Sequence, residues 1–445
     1  MLSIFIIILI SLISTVIPLY PELTLSILKV NLVLYIILIF VDIATTKRIT
    51  LFSTWIVSYI YIIWSDMVLT SYNYDNVIYS IPIFFYLIGN SCVLLGYTMN
   101  KKKTKKFSYT KQVVQHPNYL LLFIFLSVVV FLYLQLDTIK ATMAHGRVLN
   151  SVKGSGNLLY SLVGGIGLVI PATIAYYFKF IKKKSIIYSI ILVAPIFIFQ
   201  FILSTRFKLL FQLLPFLFVS GVIKIKQLNI KSILVLCVCA ILFSATSSFM
   251  KENRTAGYGN ISQNDYIYTN DVSSDKFVEL AKGMSPEGII NMAHLANRYF
   301  EVNDLKYGKE VSFLLYFWVP RSIWKNKPTP IDNWLIRKYE IVSDEHSSAS
   351  GFLGELRADF GWFALIFAFG IGYIIMLCDN YIYNIMQHTP PPFQVTIATM
   401  LYPYFFFFVR SPITSTINLF FALLIYFIIV TFFCKKIKSC PNSYK

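Results

Sequence analysis

Residues 359–377 read DFGWFALIFAFGIGYIIML, a run whose only charged residue is the first, Asp359. About 20 apolar residues in a helix are enough to cross the hydrocarbon core of a bilayer. Because hydrocarbon offers no hydrogen-bond partners, the backbone of such a run must be satisfied internally, as it is in a helix. Similar runs recur along all 445 residues, of which 57% are hydrophobic and 13% charged. The sequence therefore predicts an all-α polytopic integral membrane protein.

The apolar pattern predicts about 12 transmembrane helices. They lie at about 2–20, 23–42, 51–70, 78–98, 118–137, 158–179, 185–203, 207–223, 232–249, 359–377, 393–409 and 415–434. The sequence then divides into helices 1–9 (1–249), one large outer loop domain (250–358), and helices 10–12 with a cytoplasmic tail (359–445). Of the 21 acidic residues, 21 − 6 = 15 lie within 251–359, so this domain has mixed charge.

The formal net charge of +18 could indicate nucleic acid, but its placement favours another origin. Most of the excess lies in short loops between spans, which is typical of cytoplasmic loops. We favour this orientation signal over a lipid-headgroup role for Lys101–Lys106. The alternation predicts that both termini are cytoplasmic and the long loop is outside. The basic blocks are Lys47-Arg48, Lys101–Lys106, Lys182–Lys184, Lys224–Lys231 and Lys435–Lys438.

The outer domain contains predicted helix starts and candidate site residues. Ser285-Pro286-Glu287 combines a capping hydroxyl, an early proline and a carboxylate, which predicts a helix carrying His294 and Arg298. His346 could act as a base or orient a sugar hydroxyl, or be a surface histidine in a polar turn. Glu355 could be a base on the acceptor side or the ion-pair partner of an arginine.

Five arginines are predicted at the outer ends of spans or in the outer domain. An arginine close to hydrocarbon is costly unless it reaches the interface or has an anionic partner. Each alone could be an interface anchor, but several on one face favour a lipid-linked pyrophosphate, since guanidinium groups match phosphate oxygens bidentately. These residues are Arg206, Arg254, Arg298, Arg321 and Arg410. The outer domain has no Asp-x-Asp and no metal-spaced His/Cys cluster, so we expect neither a metal nor another cofactor.

Several short motifs follow one another along the chain in a recognisable order. They are Ser204-Thr205-Arg206, Met250-Lys251 to Arg254, Trp318-Val319-Pro320-Arg321 with Ile323-Trp324 and Lys327-Pro328, His346-Ser347, Gly351-Phe352-Leu353-Gly354-Glu355 to Phe360-Gly361, and Val409-Arg410-Ser411. In this order the chain resembles the Wzy-type polymerases of O-antigen, enterobacterial common antigen and other oligosaccharide repeat units. The most specific part is the PRxxWxxKP element followed by GFLGE and FG.

The resemblance implies a GT-C-like fold and an inverting, metal-independent glycosyltransferase of lipopolysaccharide biosynthesis. Donor and acceptor would be undecaprenyl-pyrophosphate-linked glycans at the periplasmic face of the bacterial inner membrane. A flippase and a chain-length regulator would be partners, and nucleic acid would not. Arg206, Arg254, Arg321 and Arg410 would hold pyrophosphate, and His346 or Glu355 would orient or deprotonate the acceptor hydroxyl. Further substrate contacts are expected from Lys208, Arg298, Trp324 and Lys327.

Three alternatives remain open at this stage. An O-antigen ligase would share the fold and donor but transfer the glycan to lipid A core. A lipid-linked oligosaccharide flippase or other transporter would predict short outer loops and charges inside spans, whereas Lys29 is the main mid-span charge. A structural assembly partner would leave the outward arginines unexplained.

Overall fold

The structure is a computed structural model of the 445-residue chain. It describes residues 2–74, 76–99, 111–114, 117–145, 158–202, 206–224, 288–302, 350–387, 392–411 and 434–437. Single residues and short pieces are also described within 234–245, 277–284, 308–324 and 423–428.

The described chain is mostly helical. Its helices are α1 (Leu2–Ser14), α2 (Thr24–Thr46), α3 (Leu51–Tyr59), α4 (Ser65–Asn73), α5 (Asn76–Thr98), α6 (Pro117–His145), α7 (Leu158–Tyr176), α8 (Ile186–Ile202), α9 (Arg206–Ser220), α10 (Ile289–Val302), α11 (Gly351–Phe360), α12 (Ala364–Gln387) and α13 (Pro392–Arg410). Helices α3 and α4 are joined without a break by a π-helical segment, Ile60–Trp64. Two short strands, β1 (Lys111–Val114) and β2 (Cys434–Ile437), form an antiparallel pair.

Five of the described helical runs are long and apolar enough to cross a membrane. They are Pro21–Thr46, Leu51–Asn73, Asn76–Thr98, Pro117–Leu134 and Gly351–Ile385. Shorter apolar helices occupy Leu2–Ser14, Gly165–Ile181, Ile186–Ile202 and Phe207–Ser220. The helical character predicted from the apolar runs is therefore confirmed, and the length and apolarity of these helices indicate a membrane protein. The number twelve stays a prediction, and the spans at 232–249 and 415–434 fall mainly outside the described residues.

One helix boundary differs from the predicted one. The sequence predicted a polar loop to residue 358 and a span from 359, whereas α11 already begins at Gly351. Gly361, with φ 58° and ψ −129°, ends α11, and the 3-10 turn Gly361–Phe363 leads into α12. A glycine tolerates this positive φ without steric cost. The GFLGE motif is therefore part of a helix that leads into the span.

The chain forms two compact units. The first comprises Met1–Lys103, Asp265–Asp379 and Phe405–Ile417. Its core contains Trp55, whose ring NH donates to Asn90 Oδ1 at 2.9 Å, while Asn90 Nδ2 donates to Tyr35 Oη at 3.0 Å. The Trp55 ring also lies 5.3 Å from that of Phe352 in α11. These polar side chains are buried with partners, as a water-free interior requires.

Helices α5 and α12 of the first unit approach each other at two glycines. A Cβ atom on Gly96 would lie 2.1 Å from the carbonyl oxygen of Phe369, and one on Gly372 would lie 1.9 Å from that of Val93. Both distances are far inside van der Waals contact with backbone atoms. Glycine is therefore required where these helices cross, as in other close helix contacts within membranes.

A buried ion pair lies at one end of α12. The Arg48 guanidinium donates to both carboxylate oxygens of Asp379, at 3.3 and 2.6 Å. The Leu51 amide and the Tyr97 hydroxyl donate to the same carboxylate at 3.0 and 2.7 Å. Arg48 was interpreted from sequence as a loop charge that sets orientation. In the structure it is buried, and it joins the α2–α3 connection to α12.

The second unit comprises Thr104–Asn264, Asn380–Tyr404 and Asn418–Lys445. Within it, Gln212 Nε2 of α9 donates to the Gly167 carbonyl of α7 at 3.1 Å. The Tyr426 hydroxyl donates to the Thr173 hydroxyl. The unit also contains an apolar cavity of about 240 Å³, lined by residues of α7, α12, α13 and the 423–426 segment.

Candidate functional site

Helix α11 gathers three charged side chains in a buried position. Glu355 and Asp359 are 0% exposed and Arg357 is 5% exposed. Transferring isolated charges out of water costs several kcal/mol each, by order of magnitude, so buried charges are retained only with partners. This helix is the most charged buried segment among the described residues of the first unit, which makes it the candidate functional site.

Arg357 packs against two aromatic rings. Its guanidinium carbon is 4.6 Å from the centre of the Phe85 ring and 4.0 Å from that of Trp362. One guanidinium nitrogen, Nη2, donates to Asn297 Oδ1 at 3.1 Å. Desolvated cation–π contacts of this kind stabilise a buried guanidinium. Arg357 therefore joins α5, α10 and the turn that follows α11.

Asp359 connects the two ends of the polar stretch. Its Oδ2 accepts a hydrogen bond from the Val311 amide at 2.8 Å. The segment that begins at Val311 and the helix that ends near Asp359 thus meet, although 48 positions separate the two residues. Val311 and Asp359, at the two ends of the polar stretch, are therefore in contact.

Glu355 shares its helix with a glycine that touches the end of α13. Gly351 has φ +67°, and a Cβ atom there would lie 2.9 Å from the Val409 carbonyl and 3.7 Å from that of Arg410. The Arg410 side chain is half-buried, with its guanidinium carbon 5.8 Å from the centre of the Phe407 ring. The GFLGE and Val409-Arg410-Ser411 motifs are therefore brought together in space. The order of the two motifs along the chain did not by itself predict this contact.

Helix α10 is positioned by a carboxylate from a membrane span. Asp66 of α4 is buried and accepts hydrogen bonds from the amides of Gly288 and Ile290, at 2.9 and 2.7 Å. A carboxylate at this place satisfies otherwise orphaned amides and complements the positive end of the helix dipole. Sequence reasoning missed Asp66. The available signal was an ionisable residue inside an apolar run, which by itself indicates a functional or positioning role.

The predicted helix with His294 and Arg298 is confirmed as α10. The His294 ring lies 5.0 Å from that of Tyr79, and Arg298 is exposed. Asn297 is the residue of this helix that contacts Arg357. The proposed helix start, Ser285 to Glu287, lies outside the described residues, and the observed amide acceptor is Asp66.

The remaining predicted site residues are only partly covered by the described structure. Trp324 is 38% exposed, with its ring 5.0 Å from that of Tyr316. In the second unit, Arg206 is the first residue of α9, and Lys208 is exposed. The Arg206 side chain and residues Arg254, Arg321, Lys327 and His346 lie outside the described residues. Among the residues that are described, no group of three or more His, Cys, Asp or Glu side chains could hold a metal ion.

Comparison with known protein families, with curated proteins and with solved structures found no match. The described fold is mostly helical, with five apolar helical runs that are candidate membrane spans and a buried charged helix, α11, at the start of one of them.

Proposed function

We propose that this protein polymerises undecaprenyl-pyrophosphate-linked repeat units into a surface polysaccharide of O-antigen type. The reaction takes place at the periplasmic face of the inner membrane. One observation carries the proposal: α11, which contains the GFLGE motif, packs through Gly351 on the backbone of Val409 and Arg410. Two motifs that the resemblance links to one site are therefore neighbours in the fold, although 58 positions (409 − 351) separate them.

In the proposed reaction, an acceptor sugar hydroxyl attacks the anomeric carbon of the growing chain. The bond between that carbon and the pyrophosphate oxygen breaks, and attack from the opposite face inverts the anomeric configuration. Undecaprenyl pyrophosphate leaves with the bonding electrons. Preorganised guanidinium groups stabilise this charge as it develops, and bidentate hydrogen bonds make arginine better suited than lysine. By the resemblance these groups belong to Arg206, Arg254, Arg321 and Arg410.

The acceptor proton needs a base, for which the resemblance offers His346 and Glu355. Glu355 is fully buried in α11, among residues that position the helix. A general base must come within hydrogen-bond reach of the proton that it removes. We therefore assign Glu355 the orienting role and His346 the role of base.

The lipid carrier needs an apolar environment for its chain. The apolar helices that are long enough to cross a bilayer place such an environment beside the protein.

The deciding experiment is reconstitution of the purified protein in liposomes with a lipid-linked repeat unit and a chelator. Growth of a glycan ladder with release of undecaprenyl pyrophosphate is the expected result. Transfer only when lipid A core is added identifies a ligase. Translocation of the lipid-linked glycan without bond formation identifies a flippase, and either of these two results overturns the proposal.

A further inference from the structure

Strands β1 and β2 bring together two segments from distant parts of the chain. Their antiparallel register pairs Lys111 with Ile437, Gln112 with Lys436, Val113 with Lys435 and Val114 with Cys434. The first segment follows the fourth predicted span, and the second belongs to the C-terminal tail. In the sequence each strand lies within or beside a separate basic block, and the structure pairs the two strands.

The joined segments are basic and contain no acidic residue. Residues 99–116 contain six lysines, and residues 431–445 contain four, with no Asp or Glu in either range. The register places no lysine directly opposite another, because Lys111 pairs with Ile437, Lys435 with Val113 and Lys436 with Gln112. An isolated two-stranded ladder is only marginally stable in water. A partner surface stabilises such a ladder, and three lysines with no acidic residue favour an anionic one.

The ladder lies next to a membrane span. Strand β1 ends at Val114, and α6, whose first part is a candidate span, begins at Pro117. Only two residues separate them, so Val114 and Pro117 are at most about 11 Å apart along three extended Cα–Cα steps. Both strands are thus held close to the membrane surface by the chain itself.

We propose that the β1–β2 ladder is a docking surface for anionic lipid headgroups, such as those of phosphatidylglycerol. Lysines near an anionic membrane surface are attracted to its headgroups, which stabilises a ladder that is marginal on its own. An orientation signal accounts for lysines in each loop separately. It does not account for two such loops pairing with each other. This inference is independent of the enzymatic proposal.

Pairing of β1 with β2 can be measured directly with one added cysteine. Val114→Cys is the register partner of the native Cys434, and directly opposite positions are close enough for a disulfide. The other five cysteines are replaced by serine, and the full-length protein is placed in nanodiscs of phosphatidylcholine with or without phosphatidylglycerol. We expect the disulfide yield to rise with phosphatidylglycerol and the increase to be lost at high salt, because salt screens the attraction.

Charge variants test whether the pairing of β1 with β2 depends on anionic lipid or occurs without it. The triple variant Lys111→Gln, Lys435→Gln and Lys436→Gln should lose the lipid dependence and pair equally in both bilayers. The matched control is Lys182→Gln, Lys183→Gln and Lys184→Gln, which removes three exposed lysines from another loop and should keep the dependence. No disulfide in any bilayer, or equal yields in both for the unsubstituted ladder, overturns the inference. An increase caused by soluble heparin in neutral bilayers, without an effect of phosphatidylglycerol, overturns it in favour of a soluble polyanion.

Discussion

The carboxylate of Asp359 accepts a hydrogen bond from the Val311 amide at 2.8 Å, across 48 positions of chain. This contact joins the two ends of the polar stretch at the C-terminal end of α11. Asp359 is fully buried and accepts a hydrogen bond from the Val311 backbone, so it has a structural role. The candidate site therefore depends on a hydrogen bond between the Asp359 side chain and the Val311 backbone, which lie at opposite ends of that stretch.

We expect Asp359→Ala to destabilise the protein by about 1–3 kcal/mol, because the Val311 amide loses its buried acceptor. Asp359→Asn keeps an acceptor oxygen and should have the smaller effect. Thermal unfolding in detergent measures both variants. Equal stability of Asp359→Ala and the unsubstituted protein would show that this hydrogen bond does not hold the segment.

Arg357 should not be replaceable by lysine. Lysine keeps the charge but loses the planar group that packs against Phe85 and Trp362 and donates to Asn297. Arg357→Ala removes these contacts and a hydrogen bond from a charged group worth about 1.5–3 kcal/mol, so it should be the more damaging change. A double-mutant cycle of Arg357→Lys with Asn297→Ala should give a coupling of at least about 0.5 kcal/mol. Strict additivity would contradict the contact.

Asp66→Ala should loosen the start of α10 because the amides of Gly288 and Ile290 lose their acceptor. Loss of such a cap costs about 0.5–2 kcal/mol. Asparagine is also a good capping residue, so Asp66→Asn should retain most of the protection. Hydrogen exchange of peptides covering 289–302 provides the measurement. Unchanged exchange in Asp66→Ala would rule out this capping role.

Gly96→Ala and Gly372→Ala should each disrupt the crossing of α5 and α12, since the added methyl group meets a backbone carbonyl. Gly370→Ala is the matched control in the same helix, because a Cβ atom there meets nothing within 4 Å. Alanine is preferred over glycine in a helix by roughly 0.5–1 kcal/mol, so the control should be neutral or stabilising. Fluorescence-detected size-exclusion chromatography with a temperature ramp compares the three variants. A control as unstable as the other two would refute the close approach.

Under the proposed function, Arg206→Ala, Arg321→Ala and Arg410→Ala should abolish polymer while the protein level is retained. Replacement by lysine should also fail, because a point charge does not reproduce the bidentate guanidinium. The exposed Lys182→Ala serves as a control that should keep activity. Glycan ladders on gels give the result, and a normal ladder from any one alanine variant would remove that arginine from the site.

Helices were predicted correctly from the sequence where the local apolar pattern is enough to define them. The predicted spans at 23–42, 51–70 and 78–98 match Thr24–Thr46, the run Leu51–Asn73 and Asn76–Thr98 within a few residues. The helix carrying His294 and Arg298 was also found. Sequence reasoning assigned residues up to 358 to a polar loop and did not predict that a buried helix, α11, begins at Gly351, because charged residues there resembled a loop although partners in the fold allow them to be buried.

The sequence by itself determined that the chain is helical and indicated a membrane protein. Hydrocarbon leaves an apolar segment no other way to satisfy its backbone, so local composition decides. Only the tertiary structure decided which charges are buried and with what: Arg48 with Asp379, Asp66 with α10, Arg357 with Asn297. These partners are 331, 222 or 224, and 60 positions apart. A buried charge needs a partner, and here helix packing supplies partners that are distant in the sequence.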